Sequence, residues 1–300
     1  MRIFVTGATG FIGSAIVQEL IEAGHEVLGL ARSDESATKL IEWGATVQRG
    51  SLTDLESLRQ GVAATDGVIH AAFIHDFSDV TSAGEIDRLA IETMGNELAG
   101  TNRPFVVTSV IGHLASNELA TEHSSPDQHS MTKHRSASEQ LALSLSAQGV
   151  RVSVIRLPPS VHGEGDNDGF IPTLIRIAQS KGVSAYIEEG HNHWPAVHRL
   201  DAVHLYRLAL EKATAGSMLH AVGEEGILLK DIATMIGQHL ELPVISIPLT
   251  EAKAHFGWLA HFTSIDIPAS SQMTQQQLDW TPIHSTLLAD LDRDIYFKTK

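Results

Sequence analysis

The stretch MRIFVTGATGFIGSAIVQELIEAGHEVLGLARS (Met1–Ser33) decides the fold. Met1 to Thr6 is an apolar run with the look of a buried strand, and Glu26 to Ala31 is a second one. An amphipathic helix, running to about Ala23, separates them. At the first junction Gly7, Gly10 and Gly13 recur every third residue. A glycine at the first position permits a tight turn. At the second it lets the backbone approach a pyrophosphate, and at the third it lets the helix pack close on the strand. The first amides of the helix and the positive end of its dipole then face phosphate. Glycine turns are common, but one set between an apolar strand and an amphipathic helix points to a dinucleotide. Gly7, Thr9, Gly10, Phe11, Ile12 and Gly13 are therefore its candidate contacts.

The same rhythm continues. Ala45–Gln48, Gly67–Ala72, Pro104–Thr108 and Arg151–Leu157 read as further strands. Helical patterns lie over Thr53–Gly61, Glu85–Ala99 and Ser130–Gln148. Such alternation predicts an α/β fold of the Rossmann type, a doubly wound parallel sheet with ligands beyond the carboxyl ends of its strands. Residues 1–157 form the dinucleotide-binding domain in this reading. After Pro158-Pro159 the rhythm breaks, and Gly163–Gly169 is a polar, glycine-rich loop. Residues 158–300 read mainly as a smaller C-terminal α+β substrate lobe, part of which returns to the main sheet, with Ser217–Val222 as the returning strand. Helices are expected at Phe170–Gln179, Leu200–Ala213, Leu228–Leu240, Thr250–Ala260 and Thr286–Tyr296, and short strands at Val183–Tyr186 and Pro243–Ile247.

Composition narrows the function. Three hundred residues with 43% hydrophobic and 19% charged content suit a globular protein with a sizeable core. A net charge of −15 argues against a nucleic-acid surface and against an anionic membrane. With no Cys, thiolate chemistry and disulfides are excluded. No apolar run is long enough to span a membrane and no leader is read, so the expected location is cytoplasmic. The 17 histidines include no H-E-x-x-H pair, and no metal site is expected.

Several segments carry a family resemblance. Val5–Gly13 matches a T-G-x-x-G-F-I-G opening. Val68-Ile69-His70-Ala71-Ala72 resembles a fourth-strand V-I-H-x-A, and Val106–Ser109 a fifth-strand end. Arg156–Gly163 resembles R-x-x-x-V-Y-G, Val197–Asp201 resembles V-H-V-x-D, and Leu278–Pro282 resembles L-G-W-x-P. Together they resemble the extended short-chain dehydrogenase/reductase family, which includes NAD-dependent epimerases and dehydratases. The resemblance implies that Ala71, Ala72, Pro158 and Val161 border the cofactor.

The departures are as telling. The family pair Tyr-x-x-x-Lys, aligned on Ala137-Ser138-Glu139, falls on Met131 and Arg135. Methionine carries no proton. Arginine can hold ribose hydroxyls but is no ready acid or base. The family Ser/Thr falls on Val110, or on Ser109 if the register slips by one. The chain thus resembles atypical members that lack the standard pair. Ser109 is the best hydroxyl for chemistry, and His134, beside Arg135, is the nearest imidazole to the vacant tyrosine position. His75, His113 and His162 are further imidazoles to place, and Trp194 and His198 are candidates for the cleft wall. Tyr296 and Lys300 share the pair's spacing but stand outside the matching helix.

Where NAD-preferring members end the second strand in an acid, this chain has Ala31, followed by Arg32 and Ser33. A cation and a hydroxyl suit a 2′-phosphate, so NADP is the expected cofactor, with NAD as the alternative. Three functions follow from the resemblance. One is an NADP(H)-dependent oxidoreductase on a small polar carbonyl or alcohol, with a non-standard proton donor. The others are a non-catalytic NADP(H)-binding sensor and a nucleotide-sugar epimerase or dehydratase. The family habit of pairing through the helices after strands four and five implies a possible homodimer.

Overall fold

In the computed structural model the described residues are 1–74, 79–114, 118–127, 130, 132–293 and 295–297, with the side chain of Lys133 left aside. The N-terminal half alternates as read: β1 (Arg2–Thr6), α1 (Phe11–Glu22), β2 (Glu26–Ala31), α2 (Asp34–Glu42), β3 (Thr46–Arg49), α3 (Leu55–Ala63), β4 (Gly67–His70), α4 (Val80–Leu98), β5 (Pro104–Val110), α5 (Lys133–Ser144) and β6 (Arg151–Leu157). The C-terminal half adds β7 (Ser160–His162), α6 (Phe170–Lys181), β8 (Ser184–Ile187), β9 (His193–His198), α7 (Arg199–Lys212), β10 (Ser217–His220), β11 (Glu224–Leu228), α8 (Leu229–Leu240) and β12 (Val244–Ile247). Short helices follow: α9 (Ala252–Phe256), α10 (Ala260–Ser264), α11 (Gln272–Leu278) and α12 (Leu287–Asp292).

The main sheet has seven strands in the order β10-β6-β5-β4-β1-β2-β3, all parallel. A parallel sheet must be covered on both faces, and its inner strands β1, β4, β5 and β6 are buried along most of their length, while the edge strand β3 is not. One face packs on α1, α2 and α7 through Ile16, Leu20, Leu40, Leu205 and Tyr206. The other packs on α3, α4 and α5 through Leu58, Val62, Ile91, Met94 and Ala142. Strand order reverses between β1 and β4, which opens a crevice at their carboxyl ends.

Beyond β6 the chain divides its loyalties. α7 and β10 return to the main sheet, β10 beside β6. The rest forms a three-stranded sheet, β11-β9-β7, and a two-stranded one, β12-β8, around a second apolar cluster. Trp194 lies at the centre of that cluster, fully buried, and donates from Nε1 to the Phe262 carbonyl at 2.9 Å, so it packs the core and does not line the cleft.

Two resembling motifs explain each other here. Asp201 accepts from the Ile283 and His284 amides, each at 3.0 Å, and its carbonyl accepts from Trp280 Nε1 at 3.0 Å. The V-H-V-x-D-like segment therefore clamps the L-G-W-x-P-like one. Asp279 takes the glycine position with φ 53°, a left-handed conformation that Asp tolerates better than most residues.

Candidate functional site

The crevice is built on close backbone contact. Gly7 has φ 68°, and a Cβ there would meet the Ala71 and Ala72 backbone at 2.8–2.9 Å. A Cβ on Gly13 would stand 1.9 Å from the Gly7 carbonyl oxygen. So β1, β4 and α1 converge at a point where only hydrogen fits. Gly10 is exposed and caps α1 without a side-chain hydrogen bond, and no acidic residue lies in the first turn. The leading amides of α1 thus face outward with a positive dipole end. Thr9 Oγ1 donates to Ser36 Oγ at 3.4 Å, linking this loop to α2. Phe11 and Ile12 are half-buried beside it. This cradle fits the diphosphate of a dinucleotide.

At the end of β2, Arg32 and Ser33 are exposed. Ser33 Oγ caps α2 by accepting from the Ser36 amide at 3.2 Å. Arg49, from the end of β3, donates to the Ser33 carbonyl at 2.6 Å and pairs with the Asp34 carboxylate. The acid nearest the strand end is therefore already engaged by a cation, as is the next, Glu35, by Lys39.

Beneath the crevice runs a buried polar chain. Thr6 Oγ1 and His70 Nδ1 are 2.7 Å apart, and His70 Nε2 lies 3.1 Å from Asp87 Oδ1. Asp87 Oδ2 faces Arg135 Nη1 at 3.4 Å, and Arg135 Nη2 donates to the Thr108 carbonyl at 2.7 Å. The Arg135 guanidinium also lies 4.1 Å from the Phe73 ring centroid. Thr108 Oγ1 bonds both the His70 carbonyl and Tyr206 Oη. Burial pushes the Asp87 carboxyl up, but the Arg135 charge and the His70 hydrogen bond outweigh it and hold it low. Arg135, which the resemblance sets at the family lysine position, is thus turned inward, buried and paired. Its neighbour His134 stacks on Phe73, with ring centroids 5.9 Å apart, and packs against Gly84 of α4.

Ser109 is buried at the end of β5, and its Oγ has no hydrogen-bond partner. Val110, in the other register, is half-buried. Pro158 is buried, Val161 packs on the main core, and Ala71 and Ala72 are half-buried beside Gly7. Met131 and His75 lie outside the described residues, as does Lys300.

His113, His162, His198 and His284 make contacts that serve the fold. His113 is buried 3.2 Å from Glu139, which also receives two bonds from Arg156, at 3.0 and 2.6 Å. Burial alone would raise the Glu139 carboxyl; those two neighbours outweigh it and bring it down to about 2. His162 is buried with Nδ1 2.7 Å from Asp290. Burial lowers its pKa against the pull of Asp290. His198, Asp201 and His284 bring three donor atoms within 4.8 Å of one another. Their contacts serve other ends: His284 Nδ1 pairs with Asp201 at 2.7 Å, and the two imidazoles stack at 12°. Tyr296 donates to Asp166 at 3.2 Å and accepts from the Gly163 amide, tying the C-terminal segment to the 163–169 loop. Burial pushes the Asp166 carboxyl up to about 6.

Sequence reasoning missed Asp87, and a signal was there. Ala83, Ala90, Ile91, Met94 and Leu98 mark one buried face of α4 by their spacing, and Asp87 falls on it. A carboxylate on an apolar stripe requires a buried partner. Arg49 and Arg199 were also missed, because only folding brings them to the crevice.

The family model for NAD dependent epimerase/dehydratases matches residues 3–221. The chain belongs to this family. An uncharacterised protein of Schizosaccharomyces pombe is 56% identical to it over 298 residues, covering 99% of this chain and 100% of that one. The sterol-4-alpha-carboxylate 3-dehydrogenase (decarboxylating) of Dictyostelium discoideum is 30% identical over 248 residues, 78% of this chain and 74% of that one. Among solved structures, MoeE5 in complex with UDP-glucose and NAD shares the fold, with TM-score 0.78 at 21% identity over 98% of this chain and 97% of that one. This epimerase/dehydratase-family chain therefore has the fold of NAD-binding extended short-chain dehydrogenase/reductases. No helix among its described residues is long and apolar enough to cross a membrane.

Proposed function

We propose that this protein is an NADP(H)-dependent oxidoreductase of the cytoplasm, acting on a small polar carbonyl or alcohol. The observation that carries the reading is the glycine cradle at the switch point, with Arg32 and Ser33 exposed beside it and Asp34 engaged by Arg49. The likeness to a sterol carboxylate dehydrogenase supports the reaction class. The nicotinamide, when bound, supplies hydride exchange. Gly7 and Gly13 let the turn and α1 pack closely, Gly10 leaves room for the diphosphate and the α1 amides hold it, while Arg32 and Ser33 hold the 2′-phosphate. Ala71, Ala72, Pro158 and Val161 wall the site. Ser109, buried with its Oγ unpartnered near the end of β5, is the hydroxyl proposed for the substrate oxygen. With no tyrosine at position 131, the proton comes from solvent or from substrate-bound water.

A sensor without turnover is the second reading, and one observation favours it: Arg135 is committed to Asp87 and the Thr108 carbonyl. Parallel titrations with NADPH, NADP⁺, NADH and NAD⁺ test the cofactor. Selective NADPH binding followed by NADPH oxidation with a carbonyl panel supports the enzyme. Tight binding with no oxidation supports the sensor, and no binding of any nucleotide removes both. The homodimer through α4 and α5 belongs to the same proposal, and sedimentation equilibrium tests it.

A further inference from the structure

Arg199 is a cation placed where positive potential is already high. It is the first residue of α7, and its guanidinium lies 4.7 Å from the centroid of the Phe11 ring, in the first turn of α1. Nη2 donates to Ser14 Oγ at 2.6 Å, and Nη1 donates to the Glu164 carbonyl at 3.1 Å. Nε is buried with no partner. Its hydrogen bonds thus go to neutral oxygens, and the Glu164 carboxylate acts on it only at longer range.

A cation at a helix N-terminus is disfavoured. In α7 the first turn also holds Asp201, which offsets the charge. In α1 nothing does, because that helix has no acidic first turn and no side-chain cap. The α1 dipole, its free amides and Arg199 all present positive potential to the same place. Burial also lowers the Arg199 pKa, as expected for a charge short of a counter-ion. An anion seated at α1 makes the arrangement favourable.

We infer that Arg199 binds the diphosphate common to NADPH and NADH, a side chain from the C-terminal half added to the glycine cradle of the N-terminal half. This rests on the reading above that the glycine cradle holds a dinucleotide. It assigns distinct tasks to two arginines: Arg32 reads the 2′-phosphate, and Arg199 reads the diphosphate.

Calorimetric titrations of NADPH, NADH and ADP into wild type, Arg199→Met and Arg199→Lys test it. In Arg199→Met the dissociation constants of all three rise by a common factor of about ten or more, as for loss of a charge-assisted hydrogen bond. Arg199→Lys recovers part of that loss. The melting temperature of free Arg199→Met stays level or rises, since the lost charge was unopposed, while its gain on adding NADPH shrinks. If wild type binds NADPH and Arg199→Met binds it equally well, the Arg199 inference fails and the cofactor reading stands. If wild type binds none of the three, both fail. Should Arg199→Met not fold, Ser14→Ala serves instead: a smaller common weakening supports the inference, and unchanged affinities for Ser14→Ala and Arg199→Lys overturn it.

Discussion

A methyl group on Gly13 would sit 1.9 Å from the Gly7 carbonyl oxygen, and nothing flexible stands between them. Gly13→Ala must therefore lift α1 away from the turn. It should cost about 1–3 kcal/mol in urea denaturation, the range of an overpacked core, and abolish nucleotide binding. An unchanged urea midpoint would refute the close-contact account. Arg32 tests the other end of the site. Arg32→Ala should raise the NADPH dissociation constant about tenfold or more, the scale of a charged phosphate contact, and leave NADH within about twofold. Equal weakening of both would remove the 2′-phosphate assignment. Both residues were legible in the chain, because glycine spacing and the residue after a strand are local signals. Arg199 was not: Ser14, which receives its hydrogen bond, is 185 positions away.

Elements were read where their burial was periodic, and missed where it was not. The helices α1 and α3 and the strands of the main sheet announce themselves through apolar pattern. α2 went unread, since Leu40 alone is buried along it. Its Ser33 cap was the available sign. α4 starts at Val80, not Glu85, under an Asp79 cap that accepts from the Ser82 amide. The helix expected over Thr250–Ala260 breaks into short turns at Gly257, φ 60°. β7, β9 and β11 are short and pair with one another across long separations, so no local pattern marks them. The α4–α5 contact carries its own prediction. Asp87→Ala would leave the Arg135 guanidinium buried and unpaired, a loss of about 3–5 kcal/mol when one partner of such a pair is removed. Chemical denaturation measures it. A cost under about 1 kcal/mol, the range of exposed pairs, would show that Arg135 is not held by Asp87.

Over the whole molecule, buried titratable groups set the response to acid. His220, packed against Arg156, Ser270 and Thr274, has its pKa brought down by burial to about 4 from an ordinary 6.5. Its neutral form belongs to the folded state. The stability it contributes is full above pH 6.5 and is lost as pH falls toward 4. Glu139, at about 2 against an ordinary 4.5, contributes stability that is full above 4.5 and lost toward 2. Asp166, pushed up to about 6, acts in the opposite sense as pH falls from about 6 toward 3.8, so the His220 contribution is read from the difference in melting temperature between wild type and His220→Gln. That difference should change between about pH 6.5 and 4 and stay level below 4. A difference constant across pH 6.5 to 4 would show that His220 does not bear on the acid response.

What the sequence by itself determined was the frame. The glycine spacing, the strand and helix periodicities and the family motifs specify a doubly wound parallel sheet with a crevice after β1, because each is a short-range pattern. The tertiary structure decided what each site residue is free to do. It turned Arg135 inward against Asp87, 48 positions away, and bound Asp201 to His284 across 83. It also carried Arg199 to the mouth of α1. The availability of a charge depends on which partners folding brings within reach, and that is settled by contacts no local pattern encodes.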